Sequence, residues 1–351
     1  MHETATTERI DQATEAETPV LDVRNLKKHF PIERGFLRRV VGHVKAVDDV
    51  SFTLRAGETL GLVGESGCGK TTTARVILRA LDPTAGSILF RTESGETIDV
   101  ATLGPGELKA LRRQMQMIFQ DPYSSLNPRM PILDLVAEPL RAHGWGRRAC
   151  EDRVAEVLEL VGLDPQYMRR YPHAFSGGQR QRIGIARALA LSPSLVVADE
   201  PVSALDVSIQ AQILNLLEEM QKRLGLTYLF ITHDLSVVRY VCTRVAVMYV
   251  GKLVELAETD TLFDRPMHPY TAALLAAVPD LDPHRGWLGE TLTGEVADPS
   301  KEHAGCPFAP RCKHAIDLCR HEPPPLENKA PDGSPAHQAA CHRVGEIDLR
   351  A

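Results

Sequence analysis

What this 351-residue chain lacks narrows it before any motif does. No run of about 18 or more consecutive apolar residues occurs, so no stretch is read as crossing a membrane. The first residues carry no apolar core of the kind a secretion signal uses. Basic charge is not in excess: 40 Lys and Arg stand against 46 Asp and Glu, a net charge of −6, so no global field draws the chain to nucleic acid or anionic lipid. There is no internal repeat, and no low-complexity tract beyond the N-terminal residues. Cysteine is scarce over most of the length. Cys68, Cys150 and Cys242 stand singly, whereas Cys306, Cys312, Cys319 and Cys341 crowd the C-terminal end.

What is present is an ordinary globular composition, 43% hydrophobic and 25% charged, with length enough for two domains. Residues 1–18 lack apolar periodicity and read as a disordered tail. Val20 to Phe30 and Val44 to Leu54 read as strands, with a basic insert over Glu33 to Arg39 between them. Leu60 to Val63 is an apolar strand, and Ala74 to Leu81 has helical spacing. Ile88 to Phe90 and Met115 to Phe119 are strand-like. From about 121 to 174 the character turns helical, with Ile132 to His143 and Arg147 to Val161 stopped at Leu163-Asp164-Pro165. The α/β alternation resumes with a helix over Gly178 to Leu191, a strand over Leu195 to Ala198, a helix over Ile209 to Leu224 and a strand over Leu226 to Ile231. Two further strands, Val245 to Tyr249 and Leu253 to Leu256, close the core. The reading is therefore an α/β core over 19–258 with a helical subdomain at about 121–174, followed by a separate extension over 259–351.

The stretch Gly64-Glu65-Ser66-Gly67-Cys68-Gly69-Lys70-Thr71-Thr72 stands between a strand and a helix, the setting in which G-x-x-x-x-G-K-[ST] forms a phosphate cradle. Its glycines let backbone N–H groups converge on a polyphosphate, and the following helix start favours an anion. Lys70 is expected to reach the β- and γ-phosphates and Thr71 to hold Mg²⁺. Downstream, Leu195-Val196-Val197-Ala198-Asp199-Glu200 is a buried strand ending in two carboxylates. Asp199 suits the Mg²⁺ shell, and Glu200 suits polarising a water for in-line attack on the γ-phosphate. Without the upstream loop, such a pair would read only as a strand meeting its turn.

Phe175-Ser176-Gly177-Gly178-Gln179 leads into a helix, and by itself it is either an anion site or an ordinary Ser N-cap. It resembles the ABC-transporter signature, with Phe175 in the place of the usual Leu. Other motifs of that family follow in family order. Gln120 resembles the Q-loop glutamine that senses Mg²⁺ and the attacking water. Ser203-Ala204-Leu205-Asp206 resembles the D-loop, and His233 the switch histidine that contacts the γ-phosphate. Phe30 stands where the family stacks an aromatic on adenine. In that family two chains sandwich two ATPs, so Ser176, Gly177, Gly178 and Gln179 would complete the partner's site. The fold the resemblance implies is a P-loop ABC ATPase core with a helical subdomain and a small cysteine-bearing extension.

The resemblance narrows further. Gln120-Asp121-Pro122-Tyr123-Ser124-Ser125-Leu126-Asn127-Pro128, Glu200-Pro201-Val202-Ser203 and His268-Pro269-Tyr270 are similar to oligopeptide/dipeptide importer ATPases over about residues 20–345, and the basic insert to the F-type subunit of the usual pair. That resemblance implies ATP hydrolysis at the cytoplasmic face of the membrane, energising peptide uptake. It also implies a second ATPase subunit, two transmembrane permease subunits, an extracytoplasmic peptide-binding protein, and no nucleic acid. Relatives importing nickel or glutathione share these motifs, and a soluble ABC ATPase acting on nucleic acid is the rival class.

Cys306, Cys312, Cys319 and Cys341 are separated by five, six and twenty-one residues. Four thiolates suit Zn²⁺ or an iron–sulfur cluster. Tight two-residue knuckles are absent, which favours the cluster, and the family resemblance implies a four-iron one. Four unligated cysteines is the plain alternative. His303, His314, His321, His337 and His342 read as solvated residues rather than ligands.

Overall fold

A computed structural model describes residues 19–36, 39–121, 125–277, 294–331 and 334–349. The 1–18 tail therefore lies outside the described residues, as do Pro122, Tyr123 and Ser124 of the Q-loop stretch. The chain divides into two compact units that do not follow chain order. Among the described residues, one holds the chain from Pro19 to Asp22, Thr53–Thr59 and Ile88–Ile231; the other holds Val23–Phe52, Leu60–Ser87 and the residues from Thr232 on.

The first unit is built on three parallel strands. Leu195–Asp199 pairs with Met115–Ile118 on one side and Thr227–Ile231 on the other, Ala198 standing opposite Ile118 and Asp199 opposite Ile231. Leu195–Asp199 and Thr227–Ile231 are buried throughout, which a continuous apolar run requires when both sheet faces are covered. The helix Val207–Leu224 buries Ile213, Leu214, Leu216, Leu217 and Met220 along one stripe. It ends at Gly225, whose φ of 67° forms a left-handed cap.

The helical segment of this unit comprises Ile132–Ala142, Arg147–Leu160 and Gly177–Leu189, which pack on one another. Arginines tie its chain ends. Arg153 donates to the Leu189 and Ala190 carbonyls at 3.1 and 2.9 Å, Arg182 to the Val161 carbonyl at 2.7 Å, and Arg187 to the Ser125 carbonyl and the Glu138 carboxylate.

In the second unit, Leu60–Val63 runs parallel to Arg244–Val247, and Arg244–Tyr249 turns back on Lys252–Glu258. The turn between them places Val250 at φ 43° and Gly251 at φ 78°, the paired positive dihedrals of a tight hairpin. A Cβ on Gly251 would also lie 2.6 Å from the Lys45 carbonyl oxygen. The strands Pro19–Arg34 and Arg39–Arg55 are sheet neighbours. Of the basic stretch expected as an insert, Glu33 and Arg34 end the first strand and Arg39 begins the second, while Leu37 and Arg38 lie outside the described residues.

The C-terminal extension is tied to this unit's sheet. Gln338–Ala339 pairs antiparallel with Leu256 and Glu255, and Glu327–Asn328 pairs with Gln338–Ala339 in turn. Glu255, fully buried, accepts from the Met267 and His268 backbone N–H groups at 2.7 and 2.9 Å and lies 2.7 Å from His337 Nε2. His337 is therefore a buried partner of Glu255, not the solvated residue its sequence context suggested. Among the described residues no helix is long and apolar enough to cross a membrane.

Candidate functional site

The phosphate loop follows directly from the buried strand Thr59–Val63, and its shape depends on its glycines. A Cβ on Gly64 would lie 2.2 Å from the Met248 carbonyl oxygen, and one on Gly69 would lie 2.1 Å from that of Ala46. Both have positive φ, 148° and 111°, so only glycine lets the loop press this closely on its neighbours. Gly69 leads into the helix Lys70–Ile77 with no side-chain cap on the helix start. Lys70 is buried, its Nζ donating to the Gly64 and Glu65 carbonyls at 2.8 and 3.0 Å. Its ammonium thus sits inside the curl of its own loop. Cys68 is buried beneath it, and burial pushes that thiol up against the pull of the Lys70 charge. Ser66 is exposed, while Thr71 and Thr72 are half-buried at the helix start.

Glu65 is held from three sides. Its N–H donates to Tyr270 Oη at 2.8 Å, its carbonyl receives Lys70, and its carboxylate receives both Nη atoms of Arg311 at 2.7 and 3.0 Å. The sequence pointed to Glu65 only as a loop position, and it missed Arg311 as a neighbour. No local pattern could have found a partner so far along the chain.

His233 belongs to the same unit as the phosphate loop. It follows Thr232, whose N–H donates to the Leu62 carbonyl at 3.4 Å on the strand that enters the loop. The next residue, Asp234, caps the helix Leu235–Val241 through Ser236 and Val237 N–H, which fixes the turn and leaves His233 exposed. Phe30, on Pro19–Arg34, is half-buried with Lys28 Nζ 5.1 Å from its ring centre.

The carboxylates lie in the other unit. Asp199 ends its strand almost fully buried, and Glu200 follows at φ 46°, a left-handed conformation strained for a non-glycine residue. The Glu200 N–H donates to the Ile231 carbonyl at 2.9 Å, and Gln120 Nε2 donates to Glu200 Oε2 at 2.7 Å. Gln120 and Glu200 stand just past the C-terminal ends of neighbouring parallel strands, the usual place for ligands on such sheets. The structure thus brings together two residues that the sequence placed in one reaction from motifs 80 positions apart.

The signature stretch starts the helix Gly177–Leu189. Ser176 Oγ accepts from Gln179 N–H at 3.3 Å and Gln179 Oε1 accepts from Ser176 N–H at 3.1 Å, a closed capping box. Phe175 is buried with its ring centre 5.5 Å from that of Tyr167, edge to face, so an aromatic fills the apolar place here. A Cβ on Gly178 would lie 2.5 Å from Ile209 Cγ2, so this glycine permits close approach to the helix Val207–Leu224. Asp206 precedes that helix and, with Val207, is exposed.

Cys306, Cys312, Cys319 and Cys341 line one cavity, together with His314 and His342. Burial and the neighbouring thiols Cys319 and Cys341 push Cys306 up to about 11, and burial raises Cys312 and Cys341. Held as thiolates these sulfurs would repel one another, and a cationic centre among them would reverse that. Among the described residues no group of three or more His, Cys, Asp or Glu side chains is gathered closely enough to hold a metal ion, which supports neither a zinc staple nor an iron–sulfur cluster.

The comparisons with known proteins agree with this geometry. Residues 47–203 match the family described as ABC transporter, and residues 254–319 match the oligopeptide/dipeptide transporter C-terminal region. The chain is 53% identical over 324 residues to the "Probable peptide ABC transporter ATP-binding protein y4tS" of Sinorhizobium fredii, covering 92% of this chain and 89% of that protein. It is 50% identical over 328 residues to the oligopeptide transport ATP-binding protein AppF of Bacillus subtilis, covering 92% of this chain and 97% of that one. Among solved structures it is similar to the ATP-binding cassette MJ0796, a dimer in a post-hydrolysis state bound to ADP and Pi. The TM-score there is 0.58 at 27% identity, over 68% of this chain and 98% of that one.

Proposed function

Because the chain belongs to the ATP-binding subunits of the oligopeptide/dipeptide ABC transporters, a P-loop ATPase family, we propose that it hydrolyses ATP to power uptake of di- and oligopeptides through membrane subunits. The observation that carries the catalytic part is the Gln120 amide on the Glu200 carboxylate at 2.7 Å, because that contact orients the carboxylate and sets the two side chains next to each other, where both can face one water. Lys70 leaves its own loop carbonyls for the β- and γ-phosphates. Thr71 and Asp199 would hold the Mg²⁺ that arrives with ATP, which would neutralise charge on the phosphates, and Gln120 would stand by that ion and the water. Glu200 takes the proton as the water oxygen attacks the γ-phosphorus in line and the bond to the ADP oxygen breaks. His233 contacts the γ-phosphate and Phe30 stacks on adenine. Ser176, Gly177, Gly178 and Gln179 serve the nucleotide of a second ATPase subunit, and the exposed Asp206 belongs to the same meeting face.

The whole machine is that heterodimer on the cytoplasmic face of the membrane, two permease subunits, and a peptide-binding protein outside. Domain boundaries follow as 19–258 for the nucleotide-binding domain and 259–351 for the extension, with the helical lobe at about 121–174 meeting the permeases. Nickel or glutathione as cargo would use the same parts. In the assembled complex, Glu200→Gln is expected to keep ATP binding while turnover falls on the order of 100-fold or more, whereas Lys70→Ala weakens binding itself. Near wild-type hydrolysis by Glu200→Gln would remove Glu200 from the reaction. Peptide import measured in proteoliposomes with nickel and glutathione as competing cargoes separates the substrates.

The four-cysteine cavity is best filled by an iron–sulfur cluster held by Cys306, Cys312, Cys319 and Cys341. What supports it is that all four cysteines line one cavity within a segment that has little apolar sequence of its own. Such a cluster supplies a covalent staple and, where its potential is accessible, a redox centre. Anaerobically purified protein is expected to be brown and to contain iron and acid-labile sulfide in near-equal amounts. Replacing any one of the four by Ser is expected to bleach it. Colourless, iron-free protein from anaerobic preparations would sink the cluster.

A further inference from the structure

One ion pair joins the C-terminal extension to the phosphate loop. Arg311 precedes Cys312, and the turn around it is held by its own N–H on the Phe308 carbonyl at 2.9 Å and the Cys312 N–H on that of Ala309 at 3.3 Å. From there its guanidinium reaches Glu65 with Nη1 on Oε2 and Nη2 on Oε1, a two-pronged match of planar groups. The Arg311 side chain is 5% exposed and that of Glu65 27%. The Tyr249 and Phe308 ring centres lie 6.0 Å from the guanidinium carbon, and Phe308 itself packs against Tyr249 and Tyr270. Tyr270 in turn receives the Glu65 N–H.

A carboxylate at the second position of a phosphate loop presents like charge to a triphosphate. Left unpaired and partly desolvated, it would oppose the binding that Lys70 and the loop N–H groups favour. We propose that Arg311 is a positioning residue of the nucleotide site: it neutralises Glu65, holds the loop's entry in place, and makes the extension part of the machinery that sets ATP affinity. This rests on the ATP reading of the loop and on no group bound by the cysteines.

The test is ATP binding and steady-state hydrolysis by the full chain, with a fluorescent ATP analogue as the binding probe. Arg311→Met keeps the apolar stem over Phe308 and removes the charge. Its ATP affinity is expected to fall about tenfold, with KM rising in step and kcat nearly unchanged. Adding Glu65→Gln to it removes the stranded carboxylate, and affinity is expected to return to within about threefold of wild type. A merely structural Arg311 would leave the double variant as weak as the single one or weaker, and that result overturns the proposal. So does wild-type affinity in folded Arg311→Met. Should Arg311→Met fail to fold, Glu65→Gln carries the test from the other end. It leaves the guanidinium facing the loop without a full counter-charge, so ATP affinity is expected to rise about threefold, and unchanged or weaker binding overturns the proposal. Wild type and Lys70→Ala run alongside. ATP binding that Lys70→Ala loses establishes the loop's own role, so a failed Arg311 arm then counts against the ion pair alone.

Discussion

Two helices in this chain begin at a glycine-containing lead and treat their first turn in opposite ways. Lys70–Ile77 follows Gly69, which sits at φ 111° and offers no side-chain cap. Gly177–Leu189 follows Ser176, whose hydroxyl and backbone close a capping box with Gln179. Every helix start carries donors that the helix itself cannot use. The first start gives up the side chain that would cap them, so an anion from outside is the natural partner. The second caps itself and stands complete until a neighbour arrives. A glycine-rich lead is therefore not one signal but two, and the capping residue tells them apart.

The comparison breaks most readily at Gly69. Gly69→Ala would push a Cβ to 2.1 Å from the Ala46 carbonyl oxygen and to 2.8 Å from Met248 Cε. The expected result is loss of ATP binding and about 3 kcal/mol or more of stability, read by nucleotide titration and denaturant unfolding. Wild-type behaviour would mean the loop's tight curl is not required.

An intermediate effect comes from the support behind the loop. His268 Nδ1 accepts the Tyr270 N–H at 3.1 Å, and full burial lowers this histidine from 6.5 to about 3. The unfolded chain therefore takes up the proton first. The stability due to neutral His268 is fully present above about pH 6.5 and is lost progressively as pH falls toward 3. Between pH 7 and pH 5.5 the expected loss is about 1 kcal/mol in urea unfolding, and His268→Gln should flatten it. An equal slope in that variant would assign the acid sensitivity to other groups.

The smallest effect sharpens the comparison at the self-capped start. Ser176→Ala is expected to cost about 1 kcal/mol of stability and to leave ATP binding by the separate chain unchanged, while hydrolysis by the assembled pair falls. Weaker ATP binding by the separate chain would mean Ser176 serves its own nucleotide.

What could be read in the sequence was whatever is written contiguously. Gly64 to Thr72, Leu195 to Glu200 and Phe175 to Gln179 each carry their own strand-to-loop or loop-to-helix setting, so residue type and place agree. Pairings across long separations were beyond it. The Gln120 amide on Glu200 spans 80 positions and followed only from family order, and Arg311 on Glu65 spans 246 and followed from nothing local. The extension's pairing with the sheet went unread because its strands are two residues each, too short for any alternation to register. His337 looked solvated because its partner, Glu255, lies in an apolar strand where a buried carboxylate is uncommon. The long strands Pro19–Arg34 and Arg39–Arg55 were shortened in the reading because their facing ends are largely exposed and carry Pro31 and Gly42, so no buried alternation continues there.

The two-residue strand Gln338–Ala339 has a consequence for how this subunit behaves at high concentration. It covers part of Lys252–Glu258, and the strand outside it, Glu327–Asn328, is equally short and exposed. A border of that length gives another chain too few consecutive backbone groups to pair with, so these strands blunt the sheet against edge-to-edge stacking. Removing everything after about residue 325 would uncover the ladder at Glu255 and Leu256 of a seven-residue strand whose five central residues are buried. The shortened protein would then add copies of itself along that border instead of seeking its proper subunits.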